Sequence, residues 1–142
     1  QPKQTKTIHG SAVAIENRGA LIIGRSGSGK SSLALELISR GAVLVSDDQV
    51  AVQSLPEQGV ILSAPARIEG LIEARGVGLI KLPHTKARLE IVVNLDEIET
   101  ERLPEPHTYV IEGVAFPCVN KVENDVFVAM LVACLKGTRI NP

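Results

Sequence analysis

A mixed α/β domain with more strand than helix, organised around one phosphate-binding loop, is the architecture this residue pattern encodes. Three observations carry that expectation. Short β-prone runs recur along most of the chain, and only two segments combine helix-forming residues with a stop signal. A glycine-rich octapeptide lies where one of those strands hands over to one of those helices. At 142 residues the chain is expected to be a single domain, 1–142, long enough to bury a core without disulfides.

The elements follow in order. Residues 1–7 are polar and read as a loose lead-in. Residues 11–15 and 20–23 are β-prone, and Glu16-Asn17-Arg18-Gly19 between them supplies turn residues, which is a hairpin pattern. Residues 31–40 are rich in helix formers, and Gly41 is a natural stop. Residues 42–45 form a short apolar strand expected to be buried on both faces, ending in Ser46-Asp47-Asp48. Further strands are expected over 50–53, 59–62, 76–81 and 89–95, followed by a charged, proline-punctuated excursion over 97–106. Residues 109–111 and 114–119 read as a second hairpin around Glu112-Gly113. Asn124 or Asp125 can cap a last helix that runs to about Leu135 and stops at Gly137. That helix is apolar nearly all round, so it belongs in the core or against another subunit.

Composition narrows the function classes. Hydrophobic residues make up 44%, charged residues 22% and aromatics 2%, so aliphatic side chains must fill the core. Few aromatics leave little to stack on single-stranded nucleic acid, and a net charge of −1 offers no attraction to nucleic acid or an anionic membrane. The longest apolar run, 126–135, is half of the ~20 residues a bilayer span needs. No signal peptide is visible, and Cys118 and Cys134 fit neither a zinc pattern nor a disulfide scaffold. A cytoplasmic protein with two reduced, buried thiols is the expectation.

Gly24-Arg25-Ser26-Gly27-Ser28-Gly29-Lys30-Ser31 matches G-x-x-x-x-G-K-[ST]. The glycines let the backbone curl so that successive N–H groups point at phosphate oxygens. The helix that follows adds its positive dipole end. Lys30 can reach the β- and γ-phosphates, and Ser31 can offer its hydroxyl to Mg²⁺. A nucleoside triphosphate with Mg²⁺ is the ligand this cradle suits.

An acidic pair lies close behind. A ten-residue helix carries the chain about 15 Å from the phosphates. Six or seven extended residues return it by roughly 20 Å. Asp47 and Asp48 can therefore arrive beside the nucleotide. Phosphoryl transfer needs carboxylates to position Mg²⁺ and to accept the proton of the attacking hydroxyl, and a pair can divide those jobs. The alternative for Asp47-Asp48 alone is a solvated turn. Asp47 could also form a structural ion pair with Arg75. His84 and His107 have no clustered ligands and read as exposed.

Ile8-His9-Gly10, the octapeptide, Ala34-Leu35-Glu36-Leu37 with Arg40-Gly41, and Leu44-Val45-Ser46-Asp47-Asp48 together resemble the bacterial HPr kinase/phosphorylase family. Ile72-Glu73-Ala74-Arg75-Gly76-Val77-Gly78-Leu79-Ile80 resembles that family's second signature, E-x-R-G-x-G. The resemblance covers the catalytic C-terminal domain and is strongest through Ile80. It implies a P-loop fold shared with phosphoenolpyruvate carboxykinase and transfer of phosphate from Mg²⁺-ATP to a serine of HPr, a phosphocarrier of the sugar phosphotransferase system. It also implies phosphorolysis in many members, and a hexamer. By matching position, Asp48 would be the proton acceptor, Lys30 would hold the transferring phosphoryl group, and Ser31 and Glu73 would be Mg²⁺ ligands; Asp47, from the acidic pair, is a further candidate metal acid. His9 would lie near the reaction, and Arg102 would match a catalytic arginine. Taken alone, His9, Glu73 and Arg102 would each be ordinary surface residues.

The chain departs from the family in three ways, one being that the segment between Lys81 and Leu89 is shorter than expected and lacks the usual glycine-containing loop. It looks like the short form, or an isolated catalytic domain, since the N-terminal domain of many members is missing from it. Where the family has P-G-R-N before its last helix, a stretch associated with dephosphorylation, this chain reads Asn120-Lys121-Val122-Glu123-Asn124-Asp125. Kinase activity without strong phosphorolysis is the resulting expectation. A small-molecule kinase on the same scaffold, and a non-catalytic nucleotide-binding module, stand as the other readings.

Overall fold

A computed structural model describes residues 5–140. Its first strand, β1 (Lys6–His9), pairs antiparallel with β5 (Gln49–Leu55), His9 opposite Gln49. Lys6 and Thr7 are thus ladder residues and not a loose lead-in; the rest of that expected segment up to residue 4 lies outside the described residues. The polar composition of 5–7 hid an edge strand, one of whose faces is open to water.

The first hairpin forms as expected, from β2 (Ser11–Ile15) and β3 (Arg18–Ile23). The turn is the two residues Glu16 and Asn17, with φ of 50° and 67°. Two consecutive positive φ values match the twist of antiparallel strands. The second hairpin, β10 (His107–Ile111) and β11 (Val114–Lys121), repeats this at Glu112 and Gly113, with φ of 52° and 77°.

The central strand is β9 (Ala87–Ile98), twelve residues long and longer than the apolar run that signalled it. Its parallel partner β3 occupies one edge. Its other edge is shared by β6 (Gly59–Ser63), antiparallel at Ala87 and Arg88, and by β11, parallel from Val92 onward. The main path of the nine-stranded sheet is β1-β5-β6-β9-β3-β2-β4, with β4 (Val43–Ser46) at the far edge beside β2.

Both sides of the sheet are buried. Val13, Ile15, Ile22, Ile91 and Val93 face α1 (Lys30–Ser39) and α2 (Phe127–Lys136). Ala12, Ala14, Leu21 and Val92 face a second core shared with Val50, Val52, Val60 and Leu62, so the sheet curls back over itself. This two-sided burial explains the near-continuous apolar runs of β2 and β3. Leu44 and Val45 of β4 enter opposite cores, as expected, while Val43 is exposed. Phe127 is the one aromatic among the buried residues described, and aliphatic chains fill most of the rest.

A separate two-stranded sheet, β7 (Leu71–Ala74) with β8 (Gly78–Lys81), leans on α1 through the fully buried Ile72. The sequence pattern marked β8 and missed β7, because β7 has only one buried residue. α2 buries Phe127, Val128, Leu131 and Leu135, and leaves Met130 exposed. Neither Asn124 nor Asp125 caps the helix: the N-cap is Val126 with no side-chain cap hydrogen bond, and Asn124 Oδ1 accepts the Val126 amide at 2.9 Å in the turn before the helix. Among the described residues, no helix is long and apolar enough to cross a membrane.

Candidate active site

Strand β3 ends at Ile23, opposite Asn94 of its parallel neighbour β9, and residues 24–31 leave the sheet at that point. Gly24 adopts φ 156°, and a Cβ there would lie 2.5 Å from Ser28 Oγ, so only glycine allows the loop to close this tightly. Arg25 is tethered to β9: its amide donates to Asp96 Oδ1 at 3.1 Å and its Nε lies 3.7 Å from the same oxygen. The Asp96 amide in turn donates to Asn94 Oδ1 at 2.9 Å.

The loop is built for an anion. Gly29 caps α1 with no side-chain hydrogen bond, and no acid lies in the first turn. The first amides and the dipole of the helix are left for a ligand. Ser28 Oγ is buried with no hydrogen-bond partner among the described residues, an orphaned polar atom that a phosphate oxygen would satisfy. Lys30 is 7% exposed, and its ammonium donates to the carbonyls of Gly24 at 2.7 Å and Arg25 at 2.9 Å. These are weaker acceptors than a phosphate, so the lysine is held in place yet free to exchange partners.

The acidic pair is split by the backbone. Asp47 is 6% exposed. Its Oδ1 accepts Ser11 Oγ and Ser31 Oγ, each at 2.7 Å, and its Oδ2 accepts the Glu73 amide at 3.3 Å. Hydroxyl and amide donors thus take the place of the anticipated ion pair with Arg75. Ser31 gives its one proton to Asp47, which leaves its lone pairs for a cation.

Asp48 points elsewhere. The Gln49 amide donates to the Asp47 carbonyl at 2.8 Å, closing a three-residue γ-turn with φ 71° at Asp48. Such a conformation costs on the order of 1–3 kcal/mol and persists only where neighbours enforce it. Here the Gly10 amide donates to the Asp48 carbonyl at 3.1 Å, and the β1–β5 ladder runs up to His9 and Gln49. The result is an exposed Asp48 carboxylate with Oδ1 3.7 Å from His9 Nδ1.

Glu73 is exposed on β7, and its amide contact brings it beside Asp47. Among the described residues, no cluster of three or more His, Cys, Asp or Glu could hold a metal by itself. Ser31, Asp47 and Glu73 are one hydroxyl and two carboxylates, all hard oxygen donors. That set fits Mg²⁺, which is held by one or two carboxylates together with substrate phosphates.

Arg102 is not brought to this group. It lies in the loop after β9, on a separate cavity of ≈ 400 Å³ whose walls include Glu99, His107, Cys118 and Cys134. His107 is half-buried instead of exposed. Its Nε2 lies 2.8 Å from Glu99 Oε1, and this hydrogen bond, with the Glu101 and Thr100 amides, holds the Glu99 carboxyl below its usual range. Both cysteines are free, and burial pushes the Cys118 thiol up, away from a reactive thiolate. A second cleft, ≈ 470 Å³, runs from Ser28, Gly29 and Ser32 to residues 121–125, so the stretch that departs from P-G-R-N forms a wall beside the phosphate loop.

Sequence reasoning missed Ser11, Asn94 and Asp96. Asp96 carried a readable signal: it follows an apolar strand, the place where parallel sheets present ligand-binding residues. Ser11 carried none, because a single serine at a strand start is uninformative.

Comparison with known proteins adds lineage to this geometry. A family model described as "HPr Serine kinase C-terminal domain" matches residues 2–120. HPr kinase/phosphorylase of Bacillus licheniformis is 49% identical over 78 residues, covering 55% of this chain and 25% of that protein. HPr kinase/phosphorylase of Limosilactobacillus reuteri is 38% identical over 128 residues, covering 81% and 40%. The chain therefore spans between a quarter and two fifths of the length of these curated relatives. A solved structure of the Hpr(Ser) kinase/phosphatase from Coxiella burnetii superposes with a TM-score of 0.76 at 26% identity, over 92% of this chain and 88% of that one. The expected fold, a mixed-sheet P-loop domain of this type, agrees with that superposition.

Proposed function

Because the chain belongs to the HPr serine kinase C-terminal domain family, we propose that it transfers the γ-phosphoryl group of ATP to a serine of an HPr-type phosphocarrier. The observation that carries this reading is the division of the acidic pair. Asp47 is buried and engaged by three donors, while the strained γ-turn presents Asp48 to solvent beside His9. A nucleotide-binding module needs the first acid; only a phosphotransferase needs the second.

In this reading the amides of residues 24–31 and the uncapped start of α1 bind the phosphates. Lys30 exchanges its two carbonyl partners for phosphate oxygens. Ser31, Asp47 and Glu73 hold Mg²⁺, which when bound draws charge from the β- and γ-phosphates. Asp48 accepts the proton of the attacking serine hydroxyl, and His9 orients its carboxylate. The exposure of Asp48 suits an acceptor that arrives on a protein surface. Homo-oligomeric assembly, a hexamer by family resemblance, and a cytoplasmic setting belong to the same proposal.

The test is to mix the chain with Mg²⁺-ATP and HPr and to look for phosphoserine by mass. Phosphorylated HPr is expected, with little release of pyrophosphate when phosphate is added to the product, because residues 121–125 replace the stretch linked to phosphorolysis. ATP consumed with HPr unmodified would refute the assignment of the acceptor.

A further inference from the structure

Ser11 is among the most enclosed polar side chains described, with no accessible surface. It lies at the start of β2, one residue after Gly10, where a Cβ would meet the Ile22 carbonyl oxygen at 2.6 Å. That close approach seats the β2 entrance against β3. The Ser11 hydroxyl donates to Asp47 Oδ1 at 2.7 Å across 36 residues. The same oxygen accepts Ser31 Oγ at 2.7 Å.

We infer that Ser11 is a positioning residue for the metal half of the site, holding Asp47 so that Ser31 and Glu73 stand in register for a divalent cation. The inference rests on the reading of this site as a Mg²⁺-nucleotide site. Asp47 takes donors from three separate elements, the start of β2, the start of α1 and β7. Of the three, only Ser11 touches neither the phosphate loop nor the signature hairpin, and it is inside the sheet where water cannot take its place. Removing its hydroxyl leaves one lobe of the Oδ1 acceptor empty in a dry setting. The carboxylate can then rotate, and the direction in which Ser31 presents its lone pairs is no longer set. Binding of the phosphates themselves does not depend on this contact, because the loop amides and Lys30 supply it.

The expected signature is therefore a split between nucleotide binding and metal coupling. A fluorescent ATP derivative is titrated with and without Mg²⁺, and the readout is the ratio of the dissociation constant without metal to that with metal. Ser11→Ala should reduce that ratio about tenfold, the scale of one hydrogen bond to a charged group, with affinity in EDTA unchanged. Ser11→Cys keeps a donor, weaker and somewhat bulkier, and should fall between; it carries the comparison should Ser11→Ala not fold. Val52→Ala, in the core on the other face of the sheet, is the control that lowers stability and should leave the ratio intact. An unchanged ratio in the folded Ser11 variants, or an equal loss with and without metal, overturns the role of Ser11. A wild-type chain that binds no nucleotide overturns the underlying reading.

Discussion

Replacing Asp47 by asparagine tests whether the buried carboxylate holds the site together. The side chain keeps its shape and its Oδ1 acceptor, but it loses its charge, and an NH₂ group replaces the oxygen facing the Glu73 amide. The hydrogen bonds from Ser11 and Ser31 at 2.7 Å change from charge-assisted to neutral, a loss of about 1 kcal/mol each. A donor now meets a donor at Glu73, a further loss of about 1 kcal/mol. The total is about 3 kcal/mol, a large share of the 5–15 kcal/mol typical of a domain. For a chain of this size that corresponds to a fall of about 10 °C in Tm. Urea denaturation at neutral pH should show the midpoint falling at constant m value. A loss below about 0.5 kcal/mol, the ordinary range of a surface substitution, would refute the reasoning. It would mean that the three contacts to Asp47 contribute no net stability.

Three other outcomes follow from the geometry. Asp48→Asn should leave ATP binding intact and remove transfer to serine, since in the proposed reaction the exposed acid enters only as proton acceptor; single-turnover transfer at the wild-type rate would exclude it from that role. Gly24→Ala should abolish nucleotide binding, because its Cβ would sit 2.5 Å from Ser28 Oγ at φ 156°, and calorimetry with ATP reads this directly. Glu99, whose carboxyl is lowered chiefly by His107, stabilises the 99–107 loop above the carboxylate's ordinary value of 4.5. That contribution is lost as pH falls through the lowered value. Glu99→Gln should therefore speed proteolysis of the loop at neutral pH and make no difference in strong acid.

How much was legible depended on the range of the interactions involved. The two hairpin turns, the Gly41 stop and the phosphate loop are specified by residues within a few positions of one another, through backbone conformations that Gly and Asn adopt more readily than most residues. A strand such as β7 is different. It has one buried residue, Ile72, and exists because α1 offers a place for it. β1 likewise has no pattern of its own and is defined by the edge of β5. Arg102 shows the opposite case. A short match in a charged loop suggested a place in the reaction, while the chain path carries that loop to a cavity lined by Cys118 and Cys134.

By itself the sequence determined that a phosphate cradle exists and that two carboxylates return to its neighbourhood, because both follow from local backbone chemistry and the length of one helix and one strand. The tertiary structure decided where each carboxylate stands. Asp47 is held by Ser11, Ser31 and Glu73, contacts separated by 36, 16 and 26 residues, and Asp48 is turned outward by a γ-turn braced from Gly10. Adjacent identical residues cannot be told apart by composition or spacing. They differ here because the sheet gives one a dry, donor-filled position and leaves the other in water.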